Sequence, residues 1–267
     1  MREKYTHGHF GTVVDDHARR TAANSANFLL PHLKATNSLL DLGCGPGSIS
    51  LDLADWVEQV VGIDAASEAI SRAEDERERR GTSNATFLVG DVYNVDYPDD
   101  TFDVVYAHQL LQHLADPVAV LREAYRVLKP GCIVAVRDAD YGTMVHDPPD
   151  PLIARWLELY HQIARHNGGE PDAGRRLRGW IAEASFVDIT PTTSTWTYST
   201  QAAVERWSKL WSSRLRQARM GRDLIREGMA TREEVNAIAT AFECWAQADQ
   251  PFFAFLHGEV LARKPPA

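Results

Sequence analysis

The stretch at residues 39–47 reads Leu-Leu-Asp-Leu-Gly-Cys-Gly-Pro-Gly, an apolar run followed by three glycines in a GxGxG pattern. The run has the composition of a buried β-strand, and the glycines allow a tight turn in which the backbone approaches a ligand closely. A helix that begins after such a turn presents free N–H groups to the same place. The stretch therefore predicts a strand, a turn and a helix arranged around a nucleotide-like ligand.

A carboxylate follows about twenty residues downstream, in Val60-Val61-Gly62-Ile63-Asp64. At the carboxyl tip of a second strand, Asp64 is placed to accept hydrogen bonds from both hydroxyls of a ribose. A glycine turn and an acidic residue also occur together in nicotinamide dinucleotide-binding folds. There, however, the glycines follow GxGxxG, whereas here Pro46 lies inside a GxGxG turn. The pair predicts an adenosine site and gives no indication of a pyrophosphate.

Short apolar runs alternate with amphipathic stretches between residues 38 and 137. This alternation is typical of βαβ units, and the nearly continuous apolar character of the runs indicates strands covered by helices on both faces. The sequence therefore predicts an α/β fold with a doubly wound, mostly parallel sheet. The predicted strands are residues 39–42, 60–63, 86–89, 103–107 and 133–137, followed by 189–198 and 252–263.

Several stretches outside these strands are predicted to be helical. Asp116 is placed to cap a helix whose first residue is Pro117, and Pro130 and Gly131 stop it. The charged run 74–80 is expected to be the exposed end of an earlier helix that Gly81 closes. A helix over 15–33 is predicted before the core, and mostly helical segments over 147–183 and 201–248 after it.

Composition excludes several classes of protein. The 267 residues are 44% hydrophobic and 24% charged, which is typical of a chain that forms a packed core without disulfide or metal cross-links. A net charge of −9 without a long basic stripe argues against a nucleic-acid partner. No apolar run has the length of a membrane span or a signal peptide, so we expect a cytoplasmic protein without membrane insertion. Cys44, Cys132 and Cys244 lack the spacing of a disulfide framework or a zinc site, and no metal is expected.

Five ordered segments resemble the class I S-adenosylmethionine-dependent methyltransferases, and within them the menaquinone- and ubiquinone-biosynthesis-like small-molecule branch. They are LLDLGCGPG (39–47), VVGID (60–64), VGDV (89–92), FDVVYAHQLLQHLADP (102–117) and LREAYRVLKPGCIVAV (121–136). The resemblance implies a Rossmann-like methyltransferase fold whose seven-stranded sheet ends in an antiparallel strand. It implies one domain over 1–267, with an N-terminal cap helix region (1–37), a cofactor-binding core (38–140), helical lid insertions around the sixth strand (141–250) and the final strand (251–267).

The resemblance also implies binding roles at the carboxyl ends of the first four strands. We expect Asp41 near the methionine amino group of S-adenosylmethionine, Asp64 at the ribose and Asp91 at the adenine amino group. The other implied contacts are Gly43, Cys44 and Gly45 along the methionine and ribose portions, Ala65 and Val92 beside the adenine, Gly90 before Asp91, and Ala107 and His108 at the amino-acid end.

The N-terminal segment resembles one that closes over the cofactor in a subset of these enzymes. Arg20 is expected to pair with the carboxylate of the cofactor, since guanidinium and carboxylate fit each other in a bidentate pair. A surface arginine is the alternative. Tyr5 and His9 are expected to contact the pocket or else to belong to a disordered terminus.

A sulfonium donor is already activated, so the protein's main task is to align the acceptor and exclude water. An acceptor that must lose a proton would benefit from a base, for which His108 is the leading candidate. The alternative for His108 is a backbone contact with an incidental imidazole. The candidates for the substrate pocket are His9, Gln109, His113, Asp138, Asp140 and Tyr141. The alternative for His113 is a structural role. The alternatives for the two aspartates are helix capping and solvated loop positions.

The predicted function is methyl transfer from S-adenosylmethionine to a small-molecule acceptor, with S-adenosylhomocysteine as the product. A nicotinamide-dependent oxidoreductase is a second hypothesis, disfavoured by the GxGxG turn and by the lack of a recognisable hydride-transfer constellation. A third is an S-adenosylmethionine-binding module without catalysis. No feature of the sequence indicates the acceptor atom or the oligomeric state.

Overall fold

A central β-sheet organises the chain in a computed structural model that describes Thr6 and residues 20–267. Its strands follow the apolar runs of the sequence closely, because each run is buried between helices. They are β1 (Ser38–Leu42), β2 (Gln59–Asp64), β3 (Ala85–Val89), β4 (Phe102–His108), β5 (Leu128–Ala139), β6 (Val145–Asp147), β7 (Val187–Tyr198) and β8 (Phe252–Arg263).

The strand order is β3-β2-β1-β4-β5-β8, with β7 on the far side of β8. Neighbours from β3 to β5 pair in parallel, and β8 is antiparallel to β5, β6 and β7. The predicted doubly wound, mostly parallel sheet with an antiparallel last strand is therefore confirmed. It has one strand more than the seven expected, because the short β6 pairs with the first three residues of β8.

The described helices of four residues or more are α1 (Ala22–Ser25), α2 (Ser48–Leu53), α3 (Ser67–Arg80), α4 (Pro117–Val127), α5 (Pro151–His166), α6 (Leu177–Glu183), α7 (Gln201–Arg216), α8 (Arg219–Arg226) and α9 (Arg232–Trp245). Two predicted helix boundaries are confirmed. The Asp116 side chain caps α4 by accepting the Ala119 N–H at 2.9 Å, and Gly81 ends α3 in the left-handed conformation.

The prediction of one helix over 15–33 is wrong within the described residues. Thr21 has an extended backbone, and its hydroxyl accepts the Asn24 N–H while the Asn24 side chain accepts the Thr21 N–H. This capping box starts a new four-residue helix at Ala22, which ends at Ser25. Residues 15–19 lie outside the described residues.

Alternate residues of β5 face the two sides of the sheet, which decides where its polar end points. Val134 and Val136 pack with α4 and α6, whereas Ile133 and Ala135 pack with α1, α2 and α3. A separate apolar cluster joins α5, α7, α8 and α9 and covers Phe253 and Phe255 of β8. Among the described helices, none is both long enough and apolar enough to cross a membrane.

Candidate active site

The glycine turn between β1 and α2 packs against the end of β2. The N–H groups of Gly43 and Cys44 donate to the Ile63 carbonyl at 2.8 and 3.1 Å. Gly43, Gly45 and Gly47 all have positive φ values, of 71°, 54° and 74°. Only glycine adopts such angles readily, so the turn requires the residues that the sequence supplies.

Space around the turn differs from one glycine to the next. A Cβ on Gly47 would lie 2.7 Å from Phe87 Cζ, and one on Gly43 would lie 2.9 Å from Leu110 Cδ1. A Cβ on Gly45 would meet no described heavy atom within 4 Å. Packing therefore explains Gly43 and Gly47, while Gly45 borders open space in which a ligand can approach the backbone.

Asp64, at the tip of β2, faces this open space. Its Oδ2 accepts the Gly45 N–H at 3.0 Å and its Oδ1 accepts the Ala66 N–H at 2.9 Å. An ionised carboxylate has about four acceptor sites, so each oxygen keeps one for a further donor. A vicinal diol such as that of ribose matches this pair of remaining sites.

Asp41 lies beneath the turn and is almost fully buried. Its Oδ2 accepts the Ser50 hydroxyl at 2.5 Å. Burial raises the pKa of Asp41 to about 7, and the nearby carboxylate of Asp64 contributes to that rise. Close to neutral pH the group is therefore balanced between its two charge states, and a cation beside it would favour the ionised form.

The residues after β3 form the outer wall of the same edge. The Gly90 N–H donates to the Asp64 carbonyl at 3.0 Å, which joins the ends of β2 and β3. Asp91 is exposed and accepts the Tyr93 N–H at 2.9 Å, while the Val92 side chain is buried. Ala65 is exposed beside Asp64. The structure thus brings the predicted ribose and adenine residues together.

The end of β4 supplies the opposite wall. Ala107 and His108 are buried, and the His108 ring lies parallel to that of Tyr106 with centroids 6.4 Å apart. Gln109 has a positive φ of 50°, which turns the chain away from the sheet. Its Nε2 lies 2.9 Å from His257 Nε2.

Arg20 lies over the same edge, with its guanidinium carbon 5.5 Å from the centre of the Trp196 ring. Its charge lowers the pKa of both His113 and His257, after the larger effect of their burial; that of His113 falls to about 3. Both imidazoles are therefore neutral. Thr6 is buried and accepts a hydrogen bond from Asn167 Nδ2 at 3.2 Å. Tyr5 and His9, predicted to contact the pocket, lie outside the described residues.

Asp138 is a fully buried carboxyl near the end of β5. Its Oδ1 accepts the Gln112 N–H at 3.3 Å, while its Oδ2 has no hydrogen-bond partner among the described residues. Burial raises the pKa of Asp138 to about 8, so this carboxyl is mainly protonated at neutral pH.

Asp140 and Tyr141, two of the predicted substrate-pocket residues, contact other elements of the protein, and their role in a substrate pocket stays a prediction. Both oxygens of Asp140 bind the Arg175 guanidinium, at 2.7 and 2.5 Å. The Tyr141 ring stacks on that of Tyr160 with centroids 4.0 Å apart, within the helical cluster. The Asp140 carboxylate binds an arginine that lies 35 residues away in the sequence. No local sequence pattern reveals such a contact.

Sequence reasoning missed a polar group on the opposite face of the sheet from Asp138. Arg137 is fully buried at the end of β5, where its Nε donates to Glu259 Oε1 at 3.2 Å. His257 is also fully buried, and its ring lies 4.4 Å from that of Trp196. An arginine and a histidine inside otherwise apolar strands were the available signal, since such residues are rarely buried without a partner or a ligand.

Comparison with known proteins shows the family to which the chain belongs. A family model described as a methyltransferase domain matches residues 33–206. An uncharacterized methyltransferase of Schizosaccharomyces pombe is 30% identical, over 97% of this chain and 96% of its own. The chain belongs to the class I S-adenosylmethionine-dependent methyltransferases. The predicted family, enzyme class and cofactor are confirmed.

Solved structures show the same fold as this methyltransferase. The YcgJ protein of Bacillus subtilis has a TM-score of 0.59 at 17% identity, over 90% of this chain and 98% of its own. A phosphoethanolamine N-methyltransferase of Haemonchus contortus, solved with S-adenosylhomocysteine, has a TM-score of 0.56 at 17% identity, over 90% of this chain and 52% of its own. Within the described part of the chain no group of three His, Cys, Asp or Glu side chains is placed to hold a metal. The expectation of a metal-free enzyme stays a prediction.

Proposed function

We propose that this methyltransferase binds S-adenosylmethionine along the glycine turn and methylates a small molecule held at the ends of β4 and β5. The observation that carries the binding mode is the Asp64 carboxylate, with one acceptor site left on each oxygen next to the open space at Gly45. Asp64 holds the ribose hydroxyls, Asp91 and Val92 flank the adenine with Ala65, and Asp41 lies toward the methionine amino group.

Arg20 receives the carboxylate of the cofactor. Its position above the edge of the sheet, 5.5 Å from the Trp196 ring, supports this role, and a guanidinium binds a carboxylate in two parallel hydrogen bonds. The turn residues Gly43 and Cys44 and the strand end at Ala107 and His108 border the amino-acid portion.

When bound, S-adenosylmethionine supplies a methyl group on a sulfonium that a nucleophile displaces in line. The chain's own contribution is to orient the acceptor and to keep water out. His108 lies beside Trp196 with ring centroids 6.0 Å apart, and it serves as the base or as a substrate contact. Gln109, His113 and Asp138 form the polar part of the acceptor pocket. The pKa of Asp138, raised to about 8, suits a group that exchanges a proton near neutral pH.

A small-molecule acceptor fits the surroundings better than a nucleic acid. The net charge of −9 disfavours a polyphosphate, and the aromatic side chains of β7 and β8 enclose the acceptor side of the edge. The helices α5 and α7 to α9 serve as the lid within one domain. A cytoplasmic location stays a prediction.

The test separates the two halves of the cofactor by calorimetric titration. S-adenosylhomocysteine contains adenosine and the amino acid, whereas 5′-methylthioadenosine lacks the amino acid. We expect Asp64→Ala to weaken both ligands by at least about tenfold, because two hydrogen bonds to a charged group are lost. Arg20→Ala should weaken S-adenosylhomocysteine by a similar factor and leave methylthioadenosine unchanged.

Matched controls remove the same side chains at exposed sites away from the edge. Asp96→Ala and Arg122→Ala should bind both ligands like the wild type. If Arg20→Ala weakens both ligands equally, or if Asp64→Ala weakens neither, the binding mode is wrong.

A further inference from the structure

Two buried hydrogen-bond donors next to Trp196 have no partner among the described residues. They are Nη1 of Arg137 and Nδ1 of His257, and both side chains are fully buried. A buried donor without an acceptor destabilises a fold. Two such groups beside one indole are therefore expected to meet an acceptor that the described residues do not provide.

The strand register places these donors together. Arg137 on β5 pairs with Glu259 on β8, and His257 lies two residues from Glu259 on the same face. The Arg137 guanidinium carbon lies 4.9 Å from the centre of the Trp196 ring, and the His257 ring lies 4.4 Å from it. Both side chains thus contact the same indole.

The hydrogen bonds already made fix the role of each free atom. Arg137 Nε and Nη2 donate to Ser194 Oγ at 3.2 and 3.1 Å, which leaves Nη1 unused. The Gln109 amide nitrogen can only donate, so the His257 Nε2 that it meets at 2.9 Å is an acceptor. In the neutral ring the proton is then on Nδ1. Both free atoms are N–H donors, so the missing partner is an oxygen-rich acceptor.

The charged groups and aromatic rings around the two donors indicate the chemical class of the missing acceptor. Glu259 offsets the charge of Arg137, the proposed function assigns Arg20 to the cofactor carboxylate, and Asp138 is mainly protonated at neutral pH. No described carboxylate therefore accepts from the two free N–H groups, and an anionic oxygen is the strongest acceptor for such donors. The rings of Trp196 and Phe255 lie beside the donors and present an apolar surface to a planar molecule.

We propose that Arg137 and His257 bind an anionic oxygen, a carboxylate or a phenolate, on an aromatic methyl acceptor that lies against Trp196. This inference rests on the proposed function, since it names the acceptor class of the same site. Trp196 itself is partly exposed and is held by a 3.2 Å hydrogen bond from its Nε1 to the Asn24 carbonyl. Arg137 and His257 orient the acceptor and do not exchange protons with it.

The experiment compares charged probes with neutral ones of similar shape. Benzoate is paired with benzamide for the carboxylate, and 2,4-dinitrophenolate with 2,4-dinitrobenzyl alcohol for the phenolate, all at pH 7, where Asp138 is mainly protonated. Binding to the protein saturated with S-adenosylhomocysteine is followed by ligand-observed NMR. We expect at least one anion to bind about tenfold or more tightly than its neutral counterpart, as hydrogen bonds to charged groups imply. The probe pair with the larger preference for the anion shows whether the site binds a carboxylate or a phenolate.

Two variants remove the donors without leaving a buried charge. His257→Phe keeps the ring, and the double variant Arg137→Met with Glu259→Gln removes both members of the ion pair. Each should reduce the anion preference to within about twofold of the neutral probe while S-adenosylhomocysteine still binds, which also shows that the variant is folded. His166→Phe, a half-exposed histidine on α5, is the matched control and should keep the preference.

The outcomes separate this inference from the proposed function. Equal binding of anion and neutral probe to the wild type, or an anion preference that survives both variants, overturns the inference and leaves the cofactor site intact. If the wild type does not bind S-adenosylhomocysteine, the proposed function fails. The probes are then titrated into the free protein, where the same comparison decides on the anion site.

Discussion

At the scale of residues, the cofactor side of the candidate site is built from neighbours in the sequence, and the acceptor side from residues on distant strands. Asp64 and the glycine turn are local features, since a strand end, three glycines and one carboxylate suffice to define them. Arg137 and His257 meet only through the pairing of β5 with β8, two strands more than 100 residues apart. Asp140 likewise meets Arg175 only through the fold, because Arg175 belongs to another element.

The raised pKa of Asp41 leads to a prediction about pH. Its folded-state pKa of about 7 lies above the ordinary 3.8, so the free protein holds a proton on Asp41 below pH 7. A cofactor ammonium beside Asp41 favours the carboxylate, and binding then releases that proton. We expect the affinity for S-adenosylhomocysteine to rise from pH 6 to pH 7 by up to about tenfold and to level off above pH 7.

The matched variant for this prediction is Asp41→Asn, which keeps an oxygen for the Ser50 hydroxyl but cannot ionise. Calorimetric titrations between pH 6 and pH 8 should give a nearly constant dissociation constant for this variant. A wild-type affinity that is independent of pH, or one that falls as pH rises, contradicts the placement of Asp41 beside the amino group.

At the scale of elements, the strands were predictable because buried parallel strands are continuous apolar runs. The N-terminal helix was not, since its apolar spacing suggested one helix from 15 to 33 while Thr21 and Asn24 form a capping box within it. Local side-chain hydrogen bonds outweighed the longer periodic pattern there. The short β6 also escaped prediction, because three residues next to a loop carry no pattern of their own.

The turn into α2 gives a prediction at this scale. Gly47 is the N-cap of α2 with a φ of 74°, and a Cβ there would lie 2.7 Å from Phe87 Cζ and 2.8 Å from Ala73 Cβ. Gly47→Ala should lower the free energy of unfolding by about 2–4 kcal/mol, from the left-handed backbone and from overpacking together. Thermal and urea unfolding measure this loss.

Gly81→Ala is the control, since Gly81 also has a φ near 70° but a Cβ there would meet no described atom within 4 Å. It should lower the free energy of unfolding by only about 1–2 kcal/mol. Phe87→Leu should restore part of the stability of Gly47→Ala. If Gly47→Ala and Gly81→Ala lower the free energy of unfolding by the same amount, the close contacts around Gly47 do not require a glycine there.

For the whole molecule, the carboxyl edge of one sheet collects residues from strands across its width. Asp41, Asp64 and His108 come from parallel strands that all end there, so their meeting follows from the topology alone. The helical cluster of α5, α7, α8 and α9 packs against Phe253 and Phe255 in the first half of β8, which extends beyond the carboxyl end of β5. Its helices were predicted from the sequence, but their arrangement depends on aromatic contacts between distant elements, such as Trp156 with Trp211.

The central claim is that this edge binds the adenosyl cofactor of methyl transfer rather than a nicotinamide dinucleotide. The most direct measurement is a calorimetric titration of the wild-type protein with S-adenosylhomocysteine and, separately, with NADH. The structure predicts saturable one-to-one binding of S-adenosylhomocysteine and no heat of binding with NADH, because Asp64 and the open space at Gly45 suit a ribose without a pyrophosphate. Binding of NADH without binding of S-adenosylhomocysteine would contradict this account.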